Sequence, residues 1–141
     1  MPKVSVSSEQ LRRKFAAVTN SQDSIMATSQ WILKQSKHLD EILECWGAQI
    51  TKSDHEHRLT LLYLANDVVQ NCRKRHPELI DKWQSRVESA FKNLTHHSIR
   101  SGVEKVVNVW ATRSVFPKET IGKLKKTLDQ AKGAHKGKCF K

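Results

Sequence analysis

Between Ser53 and Arg75 no glycine or proline interrupts the chain, and Leu59, Leu61, Leu62, Leu64, Ala65, Val68 and Val69 spread apolar surface nearly all round a helix. Such a helix must lie inside a domain with other elements packed around it, so this stretch alone dictates a fold built about a central helical rod. Ser53-Asp54-His55-Glu56 precedes it as a capping box, in which Ser53 accepts the amide hydrogen at the third helical position and Glu56 reaches back to Ser53. Arg73-Lys74-Arg75 closes it, with cations at the negative end of the helix dipole.

The flanking segments keep the helical period. Ser7 with Gln10 opens a first helix through Leu11, Phe15 and Val18 that ends near Thr19. Asn20-Ser21-Gln22-Asp23 is a loop and N-cap for a second helix, which runs to about Lys37 and turns Ile25, Ala27, Trp31, Ile32 and Leu33 inward. A third starts at Asp40 as N-cap, buries Ile42, Leu43, Trp46 and Ile50, and fades at Thr51-Lys52. Pro77 suits the first turn of a fifth helix, which uses Trp83, Val87, Phe91 and Leu94. A turn at Thr95-His96-His97 leads into a sixth, from about Ser98 to Ala111. Pro117 opens the seventh, Gly133 marks its end, and residues 132–141 read as a basic, disordered tail. With few prolines and glycines and no strand candidate of any length, the chain is expected to be all-α, as a bundle or a superhelical stack.

The net charge of +11 favours anionic partners such as phosphopeptides, nucleic acid or acidic lipid. Over half of it follows Pro117, where eight lysines face two acids, and a solvated tail that aids solubility explains that run equally well. Three cysteines without a CxxC spacing, and no signal peptide at the N-terminus, point to reduced thiols in the cytosol or nucleus. No apolar run approaches the roughly 20 residues that span a membrane. The seven histidines are scattered, with His55 and His57 on different sides of a helix, so no metal site is expected. Nor is there a G-x-S-x-G elbow, a glycine-rich phosphate loop or an H-E-x-x-H motif, which argues against catalysis.

Set into the most apolar helix is a polar strip. At about 100° per residue, Tyr63, Asn66, Asp67, Gln70 and Asn71 fall on one face. Asparagine and aspartate are poor interior helix formers, and burying them unsatisfied costs about 1–3 kcal/mol each. Two readings stand. The strip ties neighbouring helices together internally, or it floors a groove in which amides satisfy an extended peptide and Asp67 accepts a hydroxyl. Along the sixth helix Lys105, Val109 and Arg113 recur at every fourth position, two cations about an apolar seat. Arginine suits phosphate because its guanidinium donates two parallel hydrogen bonds, although basic residues on a helix face are most often simply solvated.

The run L-Y-L-A-N-D-V-V-Q-N at residues 62–71, the segment S-Q-D-S-I at 21–25, and V-N-V-W-A-T-R-S-V-F at 107–116 together resemble the CTD-interacting domain, in that family's order. The similarity covers about residues 5–131, and residues 1–131 are taken as the domain. The resemblance implies a right-handed superhelix of about eight helices, akin to VHS and ENTH domains. It implies a non-catalytic, cofactor-free nuclear reader of the Tyr-Ser-Pro-Thr-Ser-Pro-Ser repeats at the C-terminus of the largest subunit of RNA polymerase II. Phosphate on the second-position serine is the favoured mark, and the setting is transcription termination, RNA 3′-end processing or elongation control.

On that pattern Asp67 accepts the repeat's tyrosine hydroxyl, while Tyr63, Asn66 and Asn71, with Gln70 on the same strip, pack on or hydrogen-bond the peptide. Asn20, Ser21 and Gln22 form the loop at the groove's edge, Val109 is an apolar seat, and Arg113 binds the phosphate. Lys105 stands where close relatives often carry arginine; it keeps the charge and loses the bidentate fork. The domain is expected to be monomeric and excised from a longer protein, with no membrane contact. Its basic C-terminal segment would also suit weak contact with RNA. The rival reading is a trafficking adaptor of the VHS or ENTH kind that binds acidic peptides or phosphoinositides. The string at 62–71 and the short, polar start of the chain both speak against it.

Overall fold

A computed structural model describes residues 7–139, with side chains through residue 131. Its α-helices are α1 (Ser8–Ala17), α2 (Gln22–Lys34), α3 (Leu39–Lys52), α4 (His55–Arg75), α5 (Ile80–Ala90), α6 (Arg100–Arg113) and α7 (Lys118–Cys139). Short 3-10 turns occupy Ser36–His38, Pro77–Leu79, Phe91–Leu94 and His97–Ile99, and no strand occurs among the described residues. The fold is all-α, with seven α-helices described where the resemblance implies about eight.

α4 is the central rod. It buries Thr60, Leu61, Leu62, Leu64, Ala65, Val68, Val69 and Cys72, and it packs against α2, α3, α5 and α6. Around it stand Trp46, Trp83 and Trp110, all fully buried. Trp46 and Trp83 meet edge to face at 5.6 Å, and the Trp46 indole N–H donates to the Leu61 carbonyl at 3.0 Å, joining α3 to α4. Burial pushes the Cys72 thiol up to about 11, so it packs as a small neutral hydrophobe.

Ser7 caps α1 by accepting from the Gln10 amide at 3.0 Å, and Ser21 caps α2 by accepting from the Ser24 amide at 3.1 Å. The expected box at Ser53 forms differently. Asp54 is the N-cap of α4 and accepts from the His57 amide at 2.8 Å. Ser53 is claimed by the preceding helix: it is the C-cap of α3, and its hydroxyl donates to the Gln49 carbonyl at 2.7 Å. Only Ser53 and Asp54 separate the two helices, so one residue closes α3 and the next opens α4. Asp54→Ala is therefore expected to cost about 0.5–2 kcal/mol, read as a lower urea midpoint, with Ser53→Ala the milder change.

Other helix ends also shift from their expected places. Asp40 is not a cap; it sits in the first turn of α3, where its carboxylate faces the positive helix end and accepts from Lys82 Nζ at 3.1 Å. α2 stops at Lys34 and α5 at Ala90, and each continues as a 3-10 turn. α7 passes through Gly133 to Cys139, because no proline follows and none of the described glycines takes a positive φ. The expected tail over 132–141 thus begins as helical backbone, and residues 140–141 lie outside the described residues, as do residues 1–6.

The start of α4 is anchored by Arg58. Its guanidinium donates to three carbonyls, those of Ser53 at 2.9 Å, Asn93 at 2.9 Å and Thr51 at 3.2 Å. His57 Nε2 lies 2.7 Å from the Phe15 carbonyl and ties the end of α1 to the same turn. These bonds set the height at which the polar strip of α4 emerges between its neighbours.

Candidate functional site

α2 and α6 flank α4 on either side of its polar strip and hardly touch one another. Tyr63, Asn66, Asp67, Gln70 and Asn71 lie between them, all half-buried. This half-buried strip between α2 and α6 is the candidate channel. Two large apolar side chains stand exposed among the described residues, Met26 at 40% on α2 and Val109 at 38% on α6, one on each wall.

The α6 wall is locked to the floor by hydrogen bonds. Asn66 Oδ1 accepts from Trp110 Nε1 at 2.8 Å and from Gln70 Nε2 at 3.1 Å. Gln70 Oε1 in turn accepts from Arg113 Nη1 at 3.5 Å, a long contact on an exposed side chain. Arg113, Gln70, Asn66 and Trp110 are thereby one chain of partners across two helices. α6 approaches closely here because residue 102 is glycine: a Cβ on Gly102 would fall 2.7 Å from Leu59 Cδ2 and 2.8 Å from the Tyr63 hydroxyl.

The end of α6 is shaped by Ser114, whose φ of 56° is the one positive value among described non-glycine residues. Its amide donates to Ala111 and the Val115 amide to the Trp110 carbonyl at 2.9 Å. This left-handed turn drops Val115 and Phe116 into the core and leaves Arg113 on the rim. Phe116 meets Trp110 edge to face at 5.0 Å, which fixes the indole under the floor.

On the other half of the strip, Asn71 Nδ2 donates to the Asp67 carbonyl at 2.8 Å and to Asp67 Oδ2 at 3.3 Å. Asp67 Oδ1 accepts from no side chain among the described residues. The two readings of the strip thus divide between its members. The oxygen of Asn66 is spent on an internal tie, whereas Asp67 Oδ1 has no partner among the described residues and Arg113 is exposed beside Gln70.

At the Tyr63 end the channel widens into a hollow of about 690 Å³ whose lining includes Val18, Thr19, Asn20, Leu59, Tyr63 and Ile99. Asn20 and Tyr63 thus border the same hollow. Ser21 spends its hydroxyl as the cap of α2, and Gln22 leans on Met26, with Nε2 at 3.8 Å from the sulfur. Lys105 is exposed on α6 and, among the described residues, enters no ion pair or hydrogen bond.

Sequence reasoning missed Met26, the second role of Trp110 and the importance of Gly102. Trp110 reads as core from its period alone. The signal for Gly102 was present, since a glycine inside a helix costs about 1 kcal/mol against alanine and asks for a packing reason.

Residues 9–124 match the CID domain family. The chain is 32% identical over 131 residues to regulation of nuclear pre-mRNA domain-containing protein 1B of Homo sapiens, covering 91% of this chain and 40% of that protein. It is 31% identical over 132 residues to regulation of nuclear pre-mRNA domain-containing protein 2 of Mus musculus, covering 93% of this chain and 9% of that protein. It therefore spans well under half the length of either relative. Among solved structures it is similar to a noncanonical CID, that of Ctk3, with a TM-score of 0.78 at 12% identity, over 86% of this chain and 92% of that one.

Proposed function

The chain belongs to the CID domain family, and from that premise we propose that its channel binds the phosphorylated C-terminal heptad repeats of RNA polymerase II as a non-catalytic nuclear reader. The tyrosine of a repeat donates its hydroxyl to Asp67. Tyr63, Asn66, Gln70 and Asn71 face the peptide from the floor, Asn20 to Gln22 border it at the loop, and Val109 seats an apolar side chain. Arg113 receives the phosphate of the second-position serine, and Lys105 adds unpaired charge along the same helix.

The observation that carries this reading is the shared face. Asp67 and Gln70 are on one side of α4, and Gln70 accepts from Arg113, which supports a carboxylate and a guanidinium serving one ligand. A hydroxyl acceptor beside a phosphate donor fits a peptide that presents a tyrosine and a nearby phosphoserine. A phosphoserine carries about −1.5 to −2 charges at neutral pH, which suits a chain with this cationic surplus. The setting in termination, 3′-end processing or elongation control, and a weak RNA contact along the basic α7, belong to the same proposal.

Titration with two-repeat peptides, plain or bearing one phosphoserine at the second, fifth or seventh position, tests it. The second-position peptide should bind tightest, and equal affinity for all four would sink the reading. Asp67→Asn should weaken binding about tenfold through loss of a hydrogen bond to a charged acceptor. Its melting temperature should stay unchanged, because one amide can still accept from Asn71. A large fall in melting temperature would make Asp67 a structural tie instead.

A further inference from the structure

Beyond Asn71 the channel does not close. A hollow of about 340 Å³ lies between the C-terminal ends of α2 and α4, lined by Gln30, Leu33, Lys34, Asn71, Arg75 and His76. No carboxylate lines it. Lys34 and Arg75 are both exposed, and neither enters an ion pair among the described residues. His76 Nδ1 lies 3.6 Å from Glu78 Oε2 at the far side.

Lys34 ends α2 and Arg75 ends α4, so each complements the dipole of its own helix. That local account does not explain why the two converge on one hollow, beside the amides of Gln30 and Asn71. The helical wheel does connect them to the site. At about 100° per residue, Asn66 and Gln70 lie toward α6, while Asp67, Asn71 and Arg75 step progressively toward α2. The polar strip therefore runs diagonally, with Arg113 at one margin and the Lys34–Arg75 hollow at the other.

We propose that this hollow is a second anion subsite, which takes a second phosphate carried by the same peptide; the proposal rests on the channel's being a phosphopeptide site. From Gln70 to Arg75 the axial rise is about 8 Å, and crossing the helix adds about 10 Å, so the two cationic centres stand about 12 Å apart. An extended chain covers that in about four residues. The preferred ligand is a repeat peptide with its second phosphate three or four residues from the first. The Gln30 amide adds a donor to the phosphoryl oxygens, and Leu33 gives the flanking residue an apolar wall.

Fluorescence anisotropy with labelled two-repeat peptides tests this. One peptide carries a single second-position phosphoserine; others add a second phosphate three or four residues to either side. One of the doubly phosphorylated peptides should bind wild type about five- to tenfold tighter than the singly phosphorylated one. The Lys34→Gln/Arg75→Gln double variant should lose that gain, keep its preference for one phosphate over none, and melt as wild type does. Inorganic phosphate added with the singly phosphorylated peptide should not reproduce the gain. The proposal is overturned if no second phosphate helps, if the gain survives in the double variant, or if free phosphate supplies it. If phosphate improves binding at no position, the phosphopeptide reading falls with it; if only the first phosphate counts, this subsite alone falls.

Discussion

Trp110→Ala should lower the free energy of unfolding by about 3–5 kcal/mol, the largest single loss expected at the site. A typical domain has only about 5–15 kcal/mol in hand, so the variant should lose roughly a fifth or more of its stability. Three contributions vanish together. The indole is fully buried, its edge-to-face contact with Phe116 at 5.0 Å goes, and so does the 2.8 Å bond from Nε1 to Asn66. Trp110→Phe separates them. It keeps most of the packing and removes only the donor, and Asn66 Oδ1 still accepts from Gln70, so about 1 kcal/mol should be lost. Urea unfolding monitored by circular dichroism reads both, and the alanine variant unfolding at the wild-type midpoint would mean that the indole does not support the floor. Peptide binding adds a second readout: the phenylalanine variant should stay folded yet hold its ligand less tightly, since Asn66 is no longer oriented from α6.

Arg113→Ala should weaken binding of the phosphorylated peptide about tenfold to a hundredfold, and leave the plain peptide nearly untouched. The asymmetry follows from position. Arg113 is exposed and its hydrogen bond to Gln70 is long at 3.5 Å, so it contributes little to folding and the variant's melting temperature should not move. What it offers is a guanidinium held at the channel's rim by the turn at Ser114. Arg113→Lys should recover part of the loss, because charge remains while the two-pronged geometry does not. Raising the salt should shrink the gap between wild type and alanine variant, as expected for a solvent-facing pair. A phosphate preference that persists undiminished in Arg113→Ala would move the phosphate to another cationic group, such as Lys105 on the same helix or the Lys34–Arg75 hollow.

Much of the helical content was legible before any coordinates. Helix periodicity is local: Leu61, Leu64, Ala65 and Val68 declare a buried rod wherever the chain goes, and Ser7 and Ser21 cap their helices as their neighbours in sequence suggest. Boundaries were less legible where two helices compete for one linker. Ser53 and Asp54 are both good capping residues, and only the position of α3 decides that Ser53 closes one helix and Asp54 opens the next. Asp40 looked like a cap and instead pairs across to Lys82, a partner 42 residues away.

The sequence by itself determined that this chain is helical, that α4 lies at its centre, and that Tyr63, Asn66, Asp67, Gln70 and Asn71 share one face, because each of these follows from spacing within a single helix. Which of those side chains are already occupied depends on how the helices pack against one another. Asn66 is held by Trp110 and Gln70 touches Arg113 because α6 settles against α4, closely at Gly102, and Lys34 and Arg75 line one hollow because α2 and α4 end side by side. The rotation and height of one helix against another come from packing between residues far apart in the chain, and no period along a single helix records them.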